Sequence, residues 1–275
     1  MKHKNWSPLR YPGGKACLSD KTKALLDKNG LKGGAYAEPF AGGAGLALNL
    51  LFSKYVSEIY INDLDRSIYA FWHTVLKEPE RLIKQMQQTP ITVEEHDKQF
   101  AIQLKKETAS LFDLGFSTFF LNRTNVSGVL RGGIIGGKKQ TGKYKIDARF
   151  NKVALADKIR RIAALKPWIH LSNEEASRFL DRMENELPSK SLIFLDPPYY
   201  VKGASLYYNH FKDSDHAILA NNVKRYSKHW IVSYDNVEQV RKLYKPYRSE
   251  TYSLNYSVKA HYQGSEVMFF SKGLI

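Results

Sequence analysis

The chain has 275 residues, 43% of them hydrophobic, and a mass of 31.5 kDa, which suits one large domain or one domain carrying a smaller insert. Its single cysteine, Cys17, excludes an internal disulfide, and the composition holds no Cys/His cluster with zinc spacing, no apolar run of membrane-spanning length and, from Met1 to Pro8, no apolar stretch of a secretory signal, so a reducing cytoplasm is expected. Lys and Arg number 42 against 27 Asp and Glu, a formal charge of +15 with 17 Tyr and 14 Phe; this balance points to a nucleic-acid partner, although a merely solvated basic surface would share it, and it says nothing about chemistry.

In chain order, Tyr36 to Phe40 reads as a short strand, followed by a Gly-rich turn and an apolar helix from Leu46 to Leu51. Glu58 to Asn62 reads as a second strand that ends on an acid, Asp63. Helix patterns follow from Ser67 to Leu76 and from Pro79 to Gln87. Between about Thr89 and Lys166 the pattern changes to a polar helix, the apolar stretch Phe116 to Leu121 and a Gly- and Lys-rich loop from Gly128 to Lys145. Ile169 to Leu171 is a further short strand. Ser191 to Leu195 is a continuous apolar run, the mark of a buried parallel strand. Trp230 to Tyr234 and Glu266 to Ser271 complete the strands. Strands alternating with helices predict an open α/β sheet, in which ligands bind beyond the carboxyl ends of the strands.

Two segments at such ends carry chemistry. Glu38-Pro39-Phe40-Ala41-Gly42-Gly43-Ala44-Gly45 lies between a strand and a helix, where glycines permit a tight turn and a close ligand approach. Its spacing departs from the dinucleotide fingerprint, and Asp63 at the end of the next strand can accept both hydroxyl hydrogens of a ribose, so a nucleoside-type ligand is favoured. A plain strand-to-helix turn is the blander reading. The second segment, Asp196-Pro197-Pro198-Tyr199, directly follows the buried strand. An exocyclic amine on a nucleobase is a poor nucleophile because its lone pair is delocalised into the ring. The Asp196 carboxylate and the Pro197 carbonyl can each accept one amino hydrogen, which localises that lone pair. The prolines stiffen the backbone and remove competing N–H donors. Tyr199 offers a flat face for a base, which has to leave the duplex to be reached.

At these residues the chain resembles the Dam-type (alpha group) adenine-specific DNA methyltransferases, from about Trp6 to Phe270. The order is similar: a cofactor motif, then a variable insert, then Asp-Pro-Pro-Tyr. Arg10-Tyr11-Pro12-Gly13-Gly14-Lys15 looks like the family's N-terminal cofactor motif. The resemblance implies a Rossmann-like sheet dependent on S-adenosyl-L-methionine, with a mainly helical target-recognition insert. The catalytic domain would be residues 1–78 and 167–275 and the insert 79–166, with a DNA-binding hairpin at 122–145. It assigns Asp196, Pro197 and Tyr199 to catalysis. Tyr11, Lys15, Glu38, Phe40, Gly42, Gly43, Asp63, Asn173 and Asp196 would contact the cofactor, and Arg123, Ser127, Arg131, Lys138 and Lys139 the DNA. Ala44 stands where the family has its second glycine. In the segment Asn122 to Arg131, Val126 and Ser127 replace the family's tyrosine and asparagine, which leaves the target sequence open. The implied activity is N6-methylation of a flipped-out adenine in double-stranded DNA, by a monomer in a bacterial or phage-encoded cytoplasmic setting, with a restriction endonuclease as a candidate partner. Cytosine N4 methylation and a non-catalytic DNA-binding relative are the alternatives; Asp-Pro-Pro-Tyr by itself does not separate the two amines, and the intact Tyr11, Lys15, Asp63 and Asp196 argue against the non-catalytic relative.

Other patterns are blander. Gly132 to Lys138 nearly matches a phosphate loop, but Lys139 stands where magnesium needs Ser or Thr. A Gly-rich loop whose Lys138, Lys139, Lys143 and Lys145 neutralise DNA phosphates fits better. His96, His170, His210 and His216 read as surface or packed residues, with no metal assigned. Lys98 to Glu107 reads as a solvated helix face.

Overall fold

The computed structural model describes residues 6–11, 13–201, 211–256 and 262–275; Pro12 and His210 lie outside the described residues. Seven strands form one sheet: β1 (Ala35–Glu38), β2 (Glu58–Asn62), β3 (Ile169–Ser172), β4 (Ser191–Leu195), β5 (His229–Asp235), β6 (Arg248–Tyr256) and β7 (Tyr262–Phe270). Their order is β3-β2-β1-β4-β5-β7-β6. The first five strands in that order run parallel, and β7 is antiparallel to both β5 and β6. This is a Rossmann-like sheet, as the alternation of strands and helices predicts. The edge strand β6 has no counterpart in that reading, because its sequence, RSETYSLNY, offers no apolar run.

The pleat decides which face each side chain reaches. In β4, Leu192 and Phe194 enter one hydrophobic cluster, whereas Ile193 and Leu195 enter the other. Likewise Ile231 of β5 faces the first cluster, while Trp230 and Val232 face the second. A strand buried on both sides therefore has to be apolar throughout, which is why β4 reads as an unbroken run.

Ten α-helices are described. On the first face lie α1 (Ser19–Lys28), α2 (Gly45–Phe52) and α3 (Arg66–Lys77), joined by α4 (Pro79–Gln88), α5 (Val93–Leu104), α6 (Leu111–Thr124) and α7 (Lys152–Ala163). On the second lie α8 (Ala176–Glu186), α9 (Asp213–Arg225) and α10 (Glu238–Leu243). Side-chain caps fix several starts: Asp65 accepts from Ser67 N, Thr92 from Glu95 N, Ser110 from Asp113 N and Asn151 from Ala154 N. The apolar stretch Phe116 to Leu121 is the buried centre of α6, whose Phe119 and Phe120 pack on Phe150. The charged stretch after Lys98 is only partly solvated. Gln103 donates to Ser117 and Thr118, and Lys106 reaches Asp65. Among the described residues no helix is long and apolar enough to cross a membrane.

The segment expected as a hairpin from Asn122 to Lys145 is a pinned loop rather than a two-stranded ribbon. One antiparallel bridge joins Asn125 and Ile134, and a short turn, Val126–Gly128, follows α6. Two asparagine side chains hold it. Asn122 accepts from Arg10 N and donates to Arg10 O and Gly128 O, and Asn125 donates to Val129 O and Leu130 O. Glycines, Ser127 and Gln140 in left-handed conformations keep this backbone from pairing as strands.

Candidate active site

The strand order reverses between β1 and β4, which lie side by side. Such a switch point opens a crevice beyond the carboxyl ends of both strands. An open cavity lies there. Tyr11, Lys15, Glu38, Phe40, Gly43, Asp63 and Asp196 line it, together with Ser7, Ala44, Leu64, Pro198 and Phe211. Residues from three distant parts of the chain, read separately in the sequence, thus share one wall.

The turn after β1 is shaped by its neighbours. Gly42 has φ +46°, and a Cβ there would stand 2.6 Å from the Tyr11 ring, so glycine is needed for both reasons. The Gly42 carbonyl accepts from Trp72 Nε1 at 2.9 Å and its N–H donates to Asp63 at 2.9 Å. Ala44, in place of a family glycine, caps α2 with φ +46° and ψ 32°, a left-handed conformation that costs a β-carbon about 1–2 kcal/mol. Glu38 is buried and accepts from the Tyr36 hydroxyl and from Ala47 N. Burial pushes its carboxyl up to about 8 against the pull of those two donors. Burial, with Asp65 alongside, likewise raises Asp63 to about 7.

Asp196 follows β4. Its Oδ2 lies 2.8 Å from Lys15 Nζ, whereas among the described residues its buried Oδ1 has no hydrogen-bond partner. Burial raises its carboxyl to about 6; Lys15 opposes that shift and Glu266 adds to it. Burial alone would pull Lys15 down, but Asp196 and Glu266 leave it above its ordinary value. Tyr199, expected to offer a flat face to a base, is a buried residue here. Its ring is 5% exposed, Lys15 lies 5.3 Å from its centre, and its hydroxyl accepts from Lys15 at 2.9 Å and donates to Glu266. The buried Pro197 sits between these groups, at the end of β4.

Other expected site residues lie elsewhere. Asn173 is exposed and outside the cavity lining, where it ties down the loop after β2 by donating to Asp63 O at 2.6 Å and Leu64 O at 3.1 Å. Arg123 is half-buried and donates to Pro8 O and Arg149 O, close to Arg10 and Arg149. Burial and these two cations lower it to about 10. Ser127 is half-buried in a left-handed turn, while Arg131, Lys138 and Lys139 are exposed on the loop.

Asp235, Glu266 and Tyr252 escaped the sequence reading. Asp235 ends β5, and its carboxylate receives the N–H groups of Tyr200 and Val201 at 2.9 Å each, which fixes the chain just past Asp-Pro-Pro-Tyr. Its position after an apolar strand is the signal that could have found it.

The cavity suits S-adenosyl-L-methionine. Its walls carry four carboxyl groups, and one oxygen of Asp196 that has no partner among the described residues, for a ligand with a sulfonium, an ammonium and two ribose hydroxyls; the Gly42 turn closes on Tyr11 with no room for a side chain. No curated protein matches the chain. Solved structures resemble it at low identity. PH1948 of Pyrococcus horikoshii, described only provisionally as an RNA methyltransferase, aligns with a TM-score of 0.47 and 11% identity over 98% of this chain and 89% of its own. A SAM-dependent methyltransferase of Agrobacterium tumefaciens aligns at 0.44 and 8% over 94% and 61%. At these scores neither carries an argument about activity here. The model of the D12 class N6 adenine-specific DNA methyltransferases matches residues 11–259, from the cavity's tyrosine through Asp-Pro-Pro-Tyr and beyond. The chain belongs to that family and is an S-adenosyl-L-methionine-dependent methyltransferase.

Proposed function

We propose that the protein methylates N6 of adenine in double-stranded DNA, with the target base flipped into the cavity beside Asp196. The observation that carries this reading is the buried Asp196 Oδ1, without a hydrogen-bond partner among the described residues, at the switch-point crevice and next to a backbone fixed by two prolines. Bound there, S-adenosyl-L-methionine supplies an electrophilic methyl group on a cationic sulfur. Asp196 Oδ1 and the Pro197 carbonyl accept the two amino hydrogens and orient the nitrogen lone pair toward that methyl. Asp196 would also be in place to accept the proton that the amine nitrogen gives up on methylation. Asp63 accepts the ribose hydroxyls, and Lys15 keeps Asp196 Oδ2 occupied.

The DNA side of the reading rests on the loop after α6. Arg131, Lys138, Lys139, Lys143, Lys145 and Arg149 are all exposed there, with one acid, Asp147, among them. Asn122 joins this loop to Arg10, next to the cavity-lining Tyr11, which favours a duplex bound on the loop presenting its target base to the cavity. In this scheme residues 79–166 form the target-recognition insert on a catalytic domain of residues 1–78 and 167–275. Sequencing modified bases in DNA from cells expressing the protein tests the proposal: N6-methyladenine at one short motif is expected, and unmodified DNA would remove it.

Three outcomes follow from the geometry. Asp63→Ala is expected to weaken cofactor binding by about 1–3 kcal/mol, since the ribose hydroxyls lose their acceptor and Gly42 N–H loses its partner. Isothermal calorimetry with unchanged affinity would take Asp63 out of the site. Activity is expected to fall on the acid side, with a midpoint above the ordinary aspartate value of about 4 and no higher than about 6, because Asp196 accepts hydrogens only after losing its own proton and a nearby sulfonium offsets part of the rise. A kcat profile that stays flat to about pH 4, the ordinary aspartate range, would contradict the raised pKa. Arg131→Ala is expected to relax preference at one position of the recognition site, as loss of a guanine O6/N7 contact worth roughly 1–3 kcal/mol would do. Methylation profiling over a randomised duplex library checks this, and an equal loss at all sequences would leave Arg131 a phosphate contact.

A further inference from the structure

Glu266 lies on β7, is 1% exposed, and stands beside the catalytic motif without belonging to it. One oxygen receives the Tyr199 hydroxyl and the other the Tyr252 hydroxyl of β6, and the second lies 3.5 Å from Lys15 Nζ. Ser233 Oγ of β5 stands 2.7 Å from the Tyr252 hydroxyl. An ionised carboxylate only accepts, so Glu266 sets the direction of every bond around it. Tyr252 donates to Glu266 and therefore accepts from Ser233. Tyr199 donates to Glu266 and therefore accepts from Lys15. Lys15 then spends its three protons on Tyr199, on Gly13 O at 3.0 Å and on Asp196 Oδ2. Among the described residues nothing occupies Oδ1 of Asp196, which is left to receive a ligand hydrogen.

We infer that Glu266 is a positioning residue for methyl transfer: through Lys15 and Tyr199 it aligns both ends of Asp-Pro-Pro-Tyr and leaves Asp196 Oδ1 as the acceptor for the target amine. This rests on the reading of Asp196 given above. Glu266 also sets a negative charge against Asp196, which raises its proton affinity. Among the described residues, other titratable groups that interact with Asp196 include Lys15 and Cys17 from the N-terminal turn, Tyr36 and Glu38 from β1, Tyr234 from β5 and Tyr252 from β6. All six remain when Glu266 is changed.

The test uses the full chain with S-adenosyl-L-methionine and duplex DNA. Glu266→Gln keeps the volume but places an amide donor against a hydroxyl that must donate. It is expected to lower kcat about 10–100-fold, as loss of a supporting partner does around metal centres. The KM for cofactor stays within about threefold, and the acid limb of kcat moves to lower pH. Glu266→Asp restores the charge and returns the limb toward the wild-type position. Tyr252→Phe, which keeps the charge, lowers kcat without moving the limb to lower pH, and serves in its own right if Glu266→Gln fails to fold. An unchanged kcat in Glu266→Gln and Tyr252→Phe overturns the inference, and so does a loss with the acid limb unmoved in Glu266→Gln. Carbon-13 NMR of labelled aspartate, assigned with Asp196→Asn, follows the Asp196 carboxyl without DNA. Its midpoint is expected to fall in Glu266→Gln, and an unmoved midpoint overturns the inference. Wild-type protein that fails to methylate DNA would strike the proposed function, while the NMR midpoint still decides the part played by Glu266.

Discussion

Asp196→Ala is expected to lower methyl transfer by roughly 10²–10⁴-fold, the range seen when a positioned proton acceptor is removed. Duplex affinity should hardly change, since phosphate contacts supply most of it and Asp196 sits in the cavity rather than on the basic loop. The substitution also strands Lys15, whose ammonium loses its closest anion at 2.8 Å and keeps Glu266 at 3.5 Å. Some loss of stability is therefore expected as well, and thermal unfolding has to be recorded alongside turnover. Single-turnover rates at saturating cofactor, with DNA binding measured separately, separate the two effects. Near-normal turnover in a folded Asp196→Ala protein would remove the carboxylate from the mechanism.

Gly128→Ala is expected to destabilise the protein by about 2–4 kcal/mol, combining left-handed strain with a backbone overlap. Gly128 has φ +78°, and a Cβ there would stand 2.2 Å from the carbonyl oxygen of Arg10. That carbonyl belongs to the segment that carries Tyr11 and Lys15 into the cavity, and Asn122 donates to it at 2.9 Å. Pushing it away breaks the joint between the basic loop and the site, so methylation of DNA should suffer more than cofactor binding. Chemical denaturation and cofactor calorimetry on the same protein check both parts. A variant as stable as the wild type would show that this joint tolerates movement.

The parts legible in the sequence are those with local signals. The run Ser191 to Leu195 matches β4 residue for residue, because a strand buried on both faces reads as an unbroken apolar run; Glu58–Asn62 likewise matches β2, with Ile59 and Ile61 buried between polar ends. The Gly-rich turn, Asp63 and Asp196 were found for the same reason, since each directly follows an apolar strand. What escaped depends on pairing across distance. The Lys15–Tyr199 bond spans 184 positions and the Tyr199–Glu266 bond 67, and no periodicity announces either. Glu266 opens an apolar strand and reads as a boundary residue, yet the sheet buries it against β6. Arg123 and Asn173 carry side chains suited to ligands, but backbone carbonyls occupy them. Tyr199 was read by its ring, whereas its hydroxyl has the more demanding partners.

Methyl transfer to duplex DNA from S-adenosyl-L-methionine labelled in its methyl group, followed by enzymatic digestion to nucleosides and mass spectrometry, tests the central claim most directly. The expected result is label on N6-methyldeoxyadenosine, present with wild-type protein and absent with Asp196→Ala. Label on N4-methyldeoxycytidine, or label entering RNA while duplex DNA stays unmodified, would contradict it.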